Sequence, residues 1–271
     1  MNLERTLTDL SIDPFLGVDL AELNLRLATD EYPDLNIPHY LSYLDNLAAR
    51  LAPRLHGDLE EKTAELAHFL FEECGYAGNA SDYYDARNSY LNEVLDRKLG
   101  IPISLSILAM AVGRRSGLMV VGVGLPGHFV AKTVDGDEEV LFDPFHGGQL
   151  LDYPGVEQLV SAVTGHPFYA HDDSLAATPP GLICQRMLNN LRAIYLRSGD
   201  FRRAAKVLQR LIQLIPDDPT LRRDLGVTLL QTGQPGPALN HLLAYLAIGP
   251  DDESTIQSLI RDAKKQIAKW N

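Results

Sequence analysis

Apolar residues in the first third of the chain recur at helical spacing. In IPHYLSYLDNLAARLAPRL, Ile37, Tyr40, Leu41, Leu44, Leu47, Ala48 and Leu51 fall three and four apart, and Pro53 closes the stripe. Leu20, Leu23, Leu25 and Leu27 lie in an earlier apolar-rich stretch that ends at Tyr32-Pro33. The later stretch DLEEKTAELAHFLFEECGY has acids in its first turn and a Gly just after Cys74, both helix-boundary signals. Residues 1–73 therefore read as helices. A polar loop, Gly78 to Ser81, leads into ARNSYLNEVLDRKLG, helical with Gly100 as its stop. A further helix is expected from Pro102 to Ser116, because proline suits a first turn.

After Gly117 the period shortens. MVVGVGL, HFVAKTV and EVLFDPF are short, rich in β-branched or aromatic residues, and separated by Pro-Gly and Asp-Gly. They read as three strands, the last two forming a hairpin about Asp135-Gly136. With that turn, opposed residues sum to 271. His128 then faces Asp143 directly, with Cβ atoms about 4.5–5.5 Å apart. A carboxylate beside an imidazole orients the ring, fixes its tautomer and stabilises its protonated form. The alternative is an ordinary cross-strand polar pair. The segment GHPFYAHDDSLAATPPGLI, residues 165–183, has no periodicity and is expected to separate two domains.

Beyond it the chain repeats itself. Gly199 and Gly233, Ala204 and Ala238, and Pro216 and Pro250 each recur at a period of 34 residues. A helix-turn-helix unit of that length, with Gly at the turn, Ala where helices touch and Pro at the exit, is the tetratricopeptide pattern. Pro235 and Pro237 depart from the usual start of the second helix and predict a distorted turn there. Glu253 to Trp270 reads as a capping helix. Ile194, Leu208, Leu211, Leu225 and Leu242 are expected in the core of this region, which should lean on the N-terminal domain as well as on its cap, since two repeats rarely stand alone.

With 24 Lys+Arg against 36 Asp+Glu the chain carries a net charge of −12, which opposes a broad nucleic-acid surface. The longest apolar run, Ile101 to Gly113, falls short of the ~20 residues needed to span a bilayer and is interrupted by Ser104 and Ser106. The opening MNLERTLTDL has acids where a signal peptide has an apolar run. Cys74 and Cys184, the only cysteines, are too few for a disulfide framework or a Cys-based zinc site. A soluble, cytoplasmic protein without a cofactor or a metal is expected. Between Cys184 and Arg223 the balance reverses, with nine Lys/Arg against three Asp, a net of +6. Arg203, Lys206 and Arg210 share one face of the second helix of the first repeat. That face is either solvated or a docking surface for an acidic protein or peptide, whether a partner's or the chain's own.

The stretch NSYLNEVLDRKLGIPISLS, followed by GLPGHF and LFDPFHGG, resembles the bacterial SirB-type regulators of invasion genes. In these proteins a transglutaminase-like domain precedes tetratricopeptide repeats. The resemblance is tight over residues 83–152, and the repeat tail agrees in order and position. It implies an α+β fold of papain or transglutaminase type, a helix packed on a small antiparallel sheet, followed by an all-α repeat tail. It implies no established activity. In active relatives a G-x-C pattern places a Cys at the helix N-terminus, where the dipole lowers its pKa. Here the corresponding residues are Gly100-Ile101-Pro102, so the reactive position holds Pro102. Ser104, in the same turn, is either a substitute nucleophile meeting His128 or a residue that caps the turn. Cys74 and Cys184 read as packing residues. Asn88 and Asn92, four apart and within the motif, either line the cleft with Pro102 or form a buried amide network. His146 near His128 and Asp143 brings the side chains to two His and one carboxylate, too few to predict a metal.

The chain is thus expected to comprise a transglutaminase-like domain over residues 1–166, a linker over 167–183, and two repeats with a cap over 184–271. The leading functional reading is a non-catalytic regulatory module that binds a protein partner through its cleft and repeats. The alternative is an amide or ester hydrolase or acyl transferase using His128 and Asp143 with Ser104.

Overall fold

The computed structural model describes residues 1–269, so Trp270, the expected end of the capping helix, lies outside the described residues. Two compact units emerge. The first holds Met1 and Phe15–Met187; the second holds Asn2–Pro14 together with the chain from Leu188 onward.

The first unit begins with α2 (Leu20–Ala28), α3 (Ile37–Leu51) and α4 (Leu59–Ala67), while α1 (Leu3–Ile12) belongs to the second. Asp19, Asn36 and Asp58 accept backbone N–H bonds at the three N-termini. Leu44, Leu47, Ala48 and Leu51 of the predicted stripe are buried on α3. The helix expected to run on to Cys74 changes register. A π-helical turn, His68–Glu73, follows α4 and buries Phe69, Leu70 and Phe71 together. A short parallel pair follows, β1 (Ala77–Gly78) with β2 (Leu99–Gly100). Between them lie a 3-10 turn, Ala86–Ser89, and α5 (Leu91–Arg97). Neither strand has a length or alternation that the sequence could reveal.

The central helix α6 spans Pro102–Ser116, with Pro102 at its first position and Gly117 closing it at φ +87°. It packs against β3 (Val120–Leu125) and β4 (His128–Asp135). With β5 (Glu138–Asp143) and β6 (Gln149–Leu151) these form an antiparallel sheet in the order β3-β4-β5-β6. The short β6 was not anticipated. Helix and sheet come close at Gly113, where a Cβ would lie 2.3 Å from Val120 Cγ2. On the sheet face carrying Val123, Leu125, Val130 and Leu141, α7 (Tyr153–Thr164) contributes Val156 and Val160 to a common core.

The hairpin register differs from expectation. Gly136 and Asp137 form the two-residue turn, Asp135 pairs with Glu138, and opposed residues sum to 273. The sequence Asp135-Gly136-Asp137 supports two turns: Asp-Gly as type I′, or Gly first as type II′. Gly136 takes the first central position with φ +61°, as type II′ requires. Asp143 therefore stands in the row of Val130, and His128 lies two residues further along the same face.

The expected linker is also revised. Leu175 packs into the sheet's core cluster, Thr178 N–H donates to Gly122 O (2.8 Å), and Gly124 N–H donates to Thr178 Oγ1 (2.7 Å). These bonds tie residues 167–183 to the exposed edge of β3, inside the first unit. The division between the units falls within α8 (Pro180–Ser198), after Met187.

The second unit carries α9 (Phe201–Leu214), α10 (Pro219–Gln231), α11 (Pro235–Leu246) and α12 (Glu253–Ala268). Gly199 and Gly233 occupy the turns at φ +73° and +70°. Ala204 and Ala238 are fully buried, and a Cβ on Gly226 would lie 2.7 Å from Leu242. Ile194, Leu208, Leu211, Leu225 and Leu242 are all buried. Pro235 sits at the first position of α11, where its missing N–H costs nothing, and the helix runs on through Pro237 to Leu246. Residues of α1 pack against α9, with Leu7 and Leu10 buried.

Candidate functional site

The site forms where β4 begins and β5 ends. Pro126-Gly127 joins β3 to β4, with Gly127 at φ +69°, and delivers His128 as the first residue of β4. His128 Nε2 lies 2.9 Å from Asp143 Oδ2, although the two residues are diagonal and not opposed. The register moved by two, and a strand's faces alternate with period two, so both side chains stay on one face. Diagonal neighbours about 7–8 Å apart are within reach of side chains of this length.

Asp143 organises the site. Its Oδ1 accepts the backbone N–H groups of Phe145 (2.9 Å) and His146 (3.4 Å), which fold the next residues into a 3-10 turn. Its Oδ2 also meets His146 Nδ1 at 2.7 Å. Burial pushes the Asp143 carboxyl up, but the hydrogen bonds from His128 and His146 outweigh it and hold the group below its ordinary value of 3.8. An ionised carboxylate only accepts, so His128 carries hydrogen on Nε2 and His146 on Nδ1. The lone pair of a neutral His128 is then on Nδ1.

Aromatic rings enclose the pair. Phe145 stands edge-on to His128 with centroids 6.0 Å apart, and His146 stacks on His128 at 5.7 Å. Tyr83 meets Phe145 edge-on at 6.0 Å. Gly78 is pressed so closely to Phe145 that a Cβ would fall 2.5 Å from its carbonyl oxygen. His128 is 4 % and Asp143 1 % exposed, whereas the His146 side chain is half exposed and forms the open side of the cluster.

Ser104 is buried and its hydrogen bonds are committed. Its Oγ donates to Asn88 O (2.6 Å) or Ile101 O (3.1 Å) and accepts from Ile101 N–H (3.0 Å). None of these bonds goes to His128. Pro102 is buried, and its carbonyl accepts from Ser106 Oγ at 2.8 Å. Asn88 and Asn92 do not share one helix, because Tyr90 breaks the 3-10 turn from α5. Asn88 accepts from Asn79 Nδ2 and donates to Asp82 O, so it braces the loop that carries Tyr83. Asn92 is buried, and its Oδ1 lacks a hydrogen-bond partner among the described residues.

One contributor escaped sequence reasoning. Arg186, counted there with the repeat region's basic charge, belongs to the first unit. Its guanidinium donates to Leu125 O (3.0 Å) and His128 O (2.5 Å), clamping the turn that delivers His128. It also lies over the Phe129 ring at 5.5 Å. A lone Arg in a helical pattern gives no signal of such a role.

Both thiols are disfavoured as nucleophiles. Burial raises the Cys74 thiol and pushes Cys184 up to about 12. As a metal site, His128, Asp143 and His146 offer donor atoms within 4.8 Å of one another. Zinc needs such donors at about 2.0–2.2 Å from a common point. Here both ring nitrogens converge on one carboxylate oxygen as hydrogen bonds.

This arrangement, a buried His–Asp pair on adjacent strands of a sheet packed on a helix, defines a transglutaminase-like domain, and a repeat region follows it. A family model described as the transglutaminase-like superfamily matches residues 38–189, beyond the span of the sequence motifs, and one described as tetratricopeptide repeat matches residues 191–261. A UPF0162 protein of Xylella fastidiosa (strain Temecula1) is 38 % identical over 237 residues, 83 % of this chain and 82 % of its own length. One of Pseudomonas aeruginosa is 31 % identical over 200 residues, covering 73 % and 72 %. F-box only protein 21 of Mus musculus is 30 % identical over 140 residues, 49 % of this chain and 21 % of that protein. No solved structure gives a significant match. The chain belongs to the transglutaminase-like superfamily, among its UPF0162 members.

Proposed function

We propose that this protein is a regulatory binding module that uses a transglutaminase-like cleft and its repeats to hold protein or peptide partners without catalysis. The observation that carries this reading is the opening turn of α6. The motif resemblance puts Pro102 where active relatives have cysteine, and the hydroxyl of Ser104 is already bonded to Ile101 and Asn88. His128 and Asp143 then serve to shape the cleft. A reducing, cytoplasmic setting fits the two free thiols. Among the described residues no helix is long and apolar enough to cross a membrane.

For the repeats, a groove beside the predicted basic face supports the reading. Arg203 pairs with Asp200 (2.7 Å), and Arg210 approaches Glu4 (3.7 Å) and Gln213 (3.2 Å). Lys206 lines a groove of about 440 Å³ with Arg202, Gln209 and Leu229. An acidic peptide with an apolar residue fits this lining.

The second reading, a hydrolase or acyl transferase, draws on the ionised Asp143 and the fixed tautomer of His128. Exposure of the full-length protein to a fluorophosphonate and to iodoacetamide separates the two. The binding reading expects no labelling that depends on His128, and weaker binding of an acidic peptide after Arg202→Glu with Lys206→Glu. Stoichiometric labelling of Ser104, lost on His128→Ala, would establish the enzyme instead.

A further inference from the structure

A cavity of the first unit lies away from His128. It measures about 1290 Å³ and opens on the sheet. Pairing places Val121, Lys132, Leu141 and Leu151 in one row across all four strands, and these four line it. His128 is four residues further along β4, about 13 Å at the usual rise per strand residue. Val134 extends the apolar floor, and Met119 and Tyr153 stand at its edge with 61 % and 43 % exposure.

The rim is acidic. Glu60, Asp137, Glu139, Asp152 and Asp172 come from α4, the β4–β5 turn, β5, the start of α7 and the 3-10 turn Asp172–Leu175. Lys132 is the sole cation among the lining residues. Its side chain is only 5 % exposed, and Nζ donates to Glu139 Oε2 (2.7 Å) and Leu175 O (3.0 Å). It neutralises one carboxylate, and four negative charges remain around an apolar floor. Such a rim repels nucleic acid and anionic lipid. The volume exceeds the ~300–1000 Å³ typical of small-molecule sites, so the space fits a stretch of polypeptide better than a metabolite.

We propose that this cavity docks a basic amphipathic segment of a partner protein, with its bulky apolar residues on the Val121–Leu151 row and its Arg or Lys side chains at the acidic rim. Its lining residues include none of the His128 site and none of the repeat unit, so it stands or falls independently of the function proposed above. Complementary charge of this kind sets specificity and association rate, while the apolar floor supplies the buried contact.

The test uses the full-length chain and a fluorescein-labelled peptide of alternating Arg and Leu, read by anisotropy. Binding should be about tenfold tighter than for an alternating Arg and Ser peptide, because Leu supplies apolar burial. The combined change Glu60→Gln, Asp137→Asn and Asp172→Asn should weaken it about tenfold, as should added salt. These exposed isosteres keep Tyr153's hydrogen bond to Asp172 available. Val121→Ser should weaken it too. Equal binding of the Arg and Ser peptide, or indifference to the triple change, would reduce the rim to diffuse negative charge and overturn the proposal. So would displacement of the peptide by self-association of the protein, which would make a second copy the occupant.

Discussion

Asp143 shows how one side chain can hold a site together. It is nearly inaccessible yet ionised, because two imidazoles and two backbone N–H groups converge on it. A carboxyl whose folded pKa is depressed stabilises the fold above its unfolded pKa, and that contribution is lost as pH falls through the lower folded value. Wild-type stability should therefore drop below the ordinary value of 3.8, in the acid range. Asp143→Asn should be less stable at neutral pH by about 1–3 kcal/mol, since the amide leaves buried donors unsatisfied, and its profile should be flatter in acid. Urea titrations across pH measure both. Cys184, with its thiol pushed up to about 12, and Cys74, raised by burial, should react slowly with iodoacetamide at neutral pH. Rapid modification of either thiol in the native protein would contradict this. Histidine and aspartate were legible because their motifs surround them. Arg186 was not, because its role depends on where α8 lies, which no local pattern states.

At the scale of elements, the helix bounded by Pro102 and Gly117 was readable to the residue, since both of its ends carry backbone-specific chemistry. The hairpin was readable as a hairpin but not in register. Two adjacent turn signatures overlap in Asp135-Gly136-Asp137, and only the fold decides between them. The site survived the error because a shift of two residues preserves the face, where a shift of one would have turned Asp143 away. The opening of α6 yields the prediction that matters for function. Ser104→Ala removes an acceptor for Ile101 N–H and a donor to Asn88 O, both buried, and should cost about 1–3 kcal/mol. Thermal unfolding would measure the loss. A nucleophile tuned for chemistry would show little stability loss on such a change, and often a gain.

At the scale of the whole molecule, the order of the two parts was legible in the sequence but their borders were not. Lack of periodicity made residues 167–183 look like a linker, yet hydrogen bonds to a strand edge need no periodic pattern, and Thr178 caps β3 through two of them. At the other end, α1 read as part of the first domain because it precedes that domain in the chain. It belongs instead to the second unit, where it covers α9. That placement answers a real need, since a pair of repeats leaves apolar helix faces open and a flanking helix closes one of them. The Arg210–Glu4 approach across this contact is too exposed on the Glu4 side to count for more than ~0–1 kcal/mol, so the apolar residues must carry it. Leu7 and Leu10 are at most 1 % exposed. Replacing either by Ala should destabilise the second unit by about 2–5 kcal/mol, the usual cost of a buried leucine truncation. Limited trypsin digestion of the full-length double variant should cut first within the repeats, at the arginines of α9, while the fragment bearing His128 persists. Equal resistance of wild type and variant at those arginines would mean that α1 merely lies on the repeats and contributes nothing to their stability.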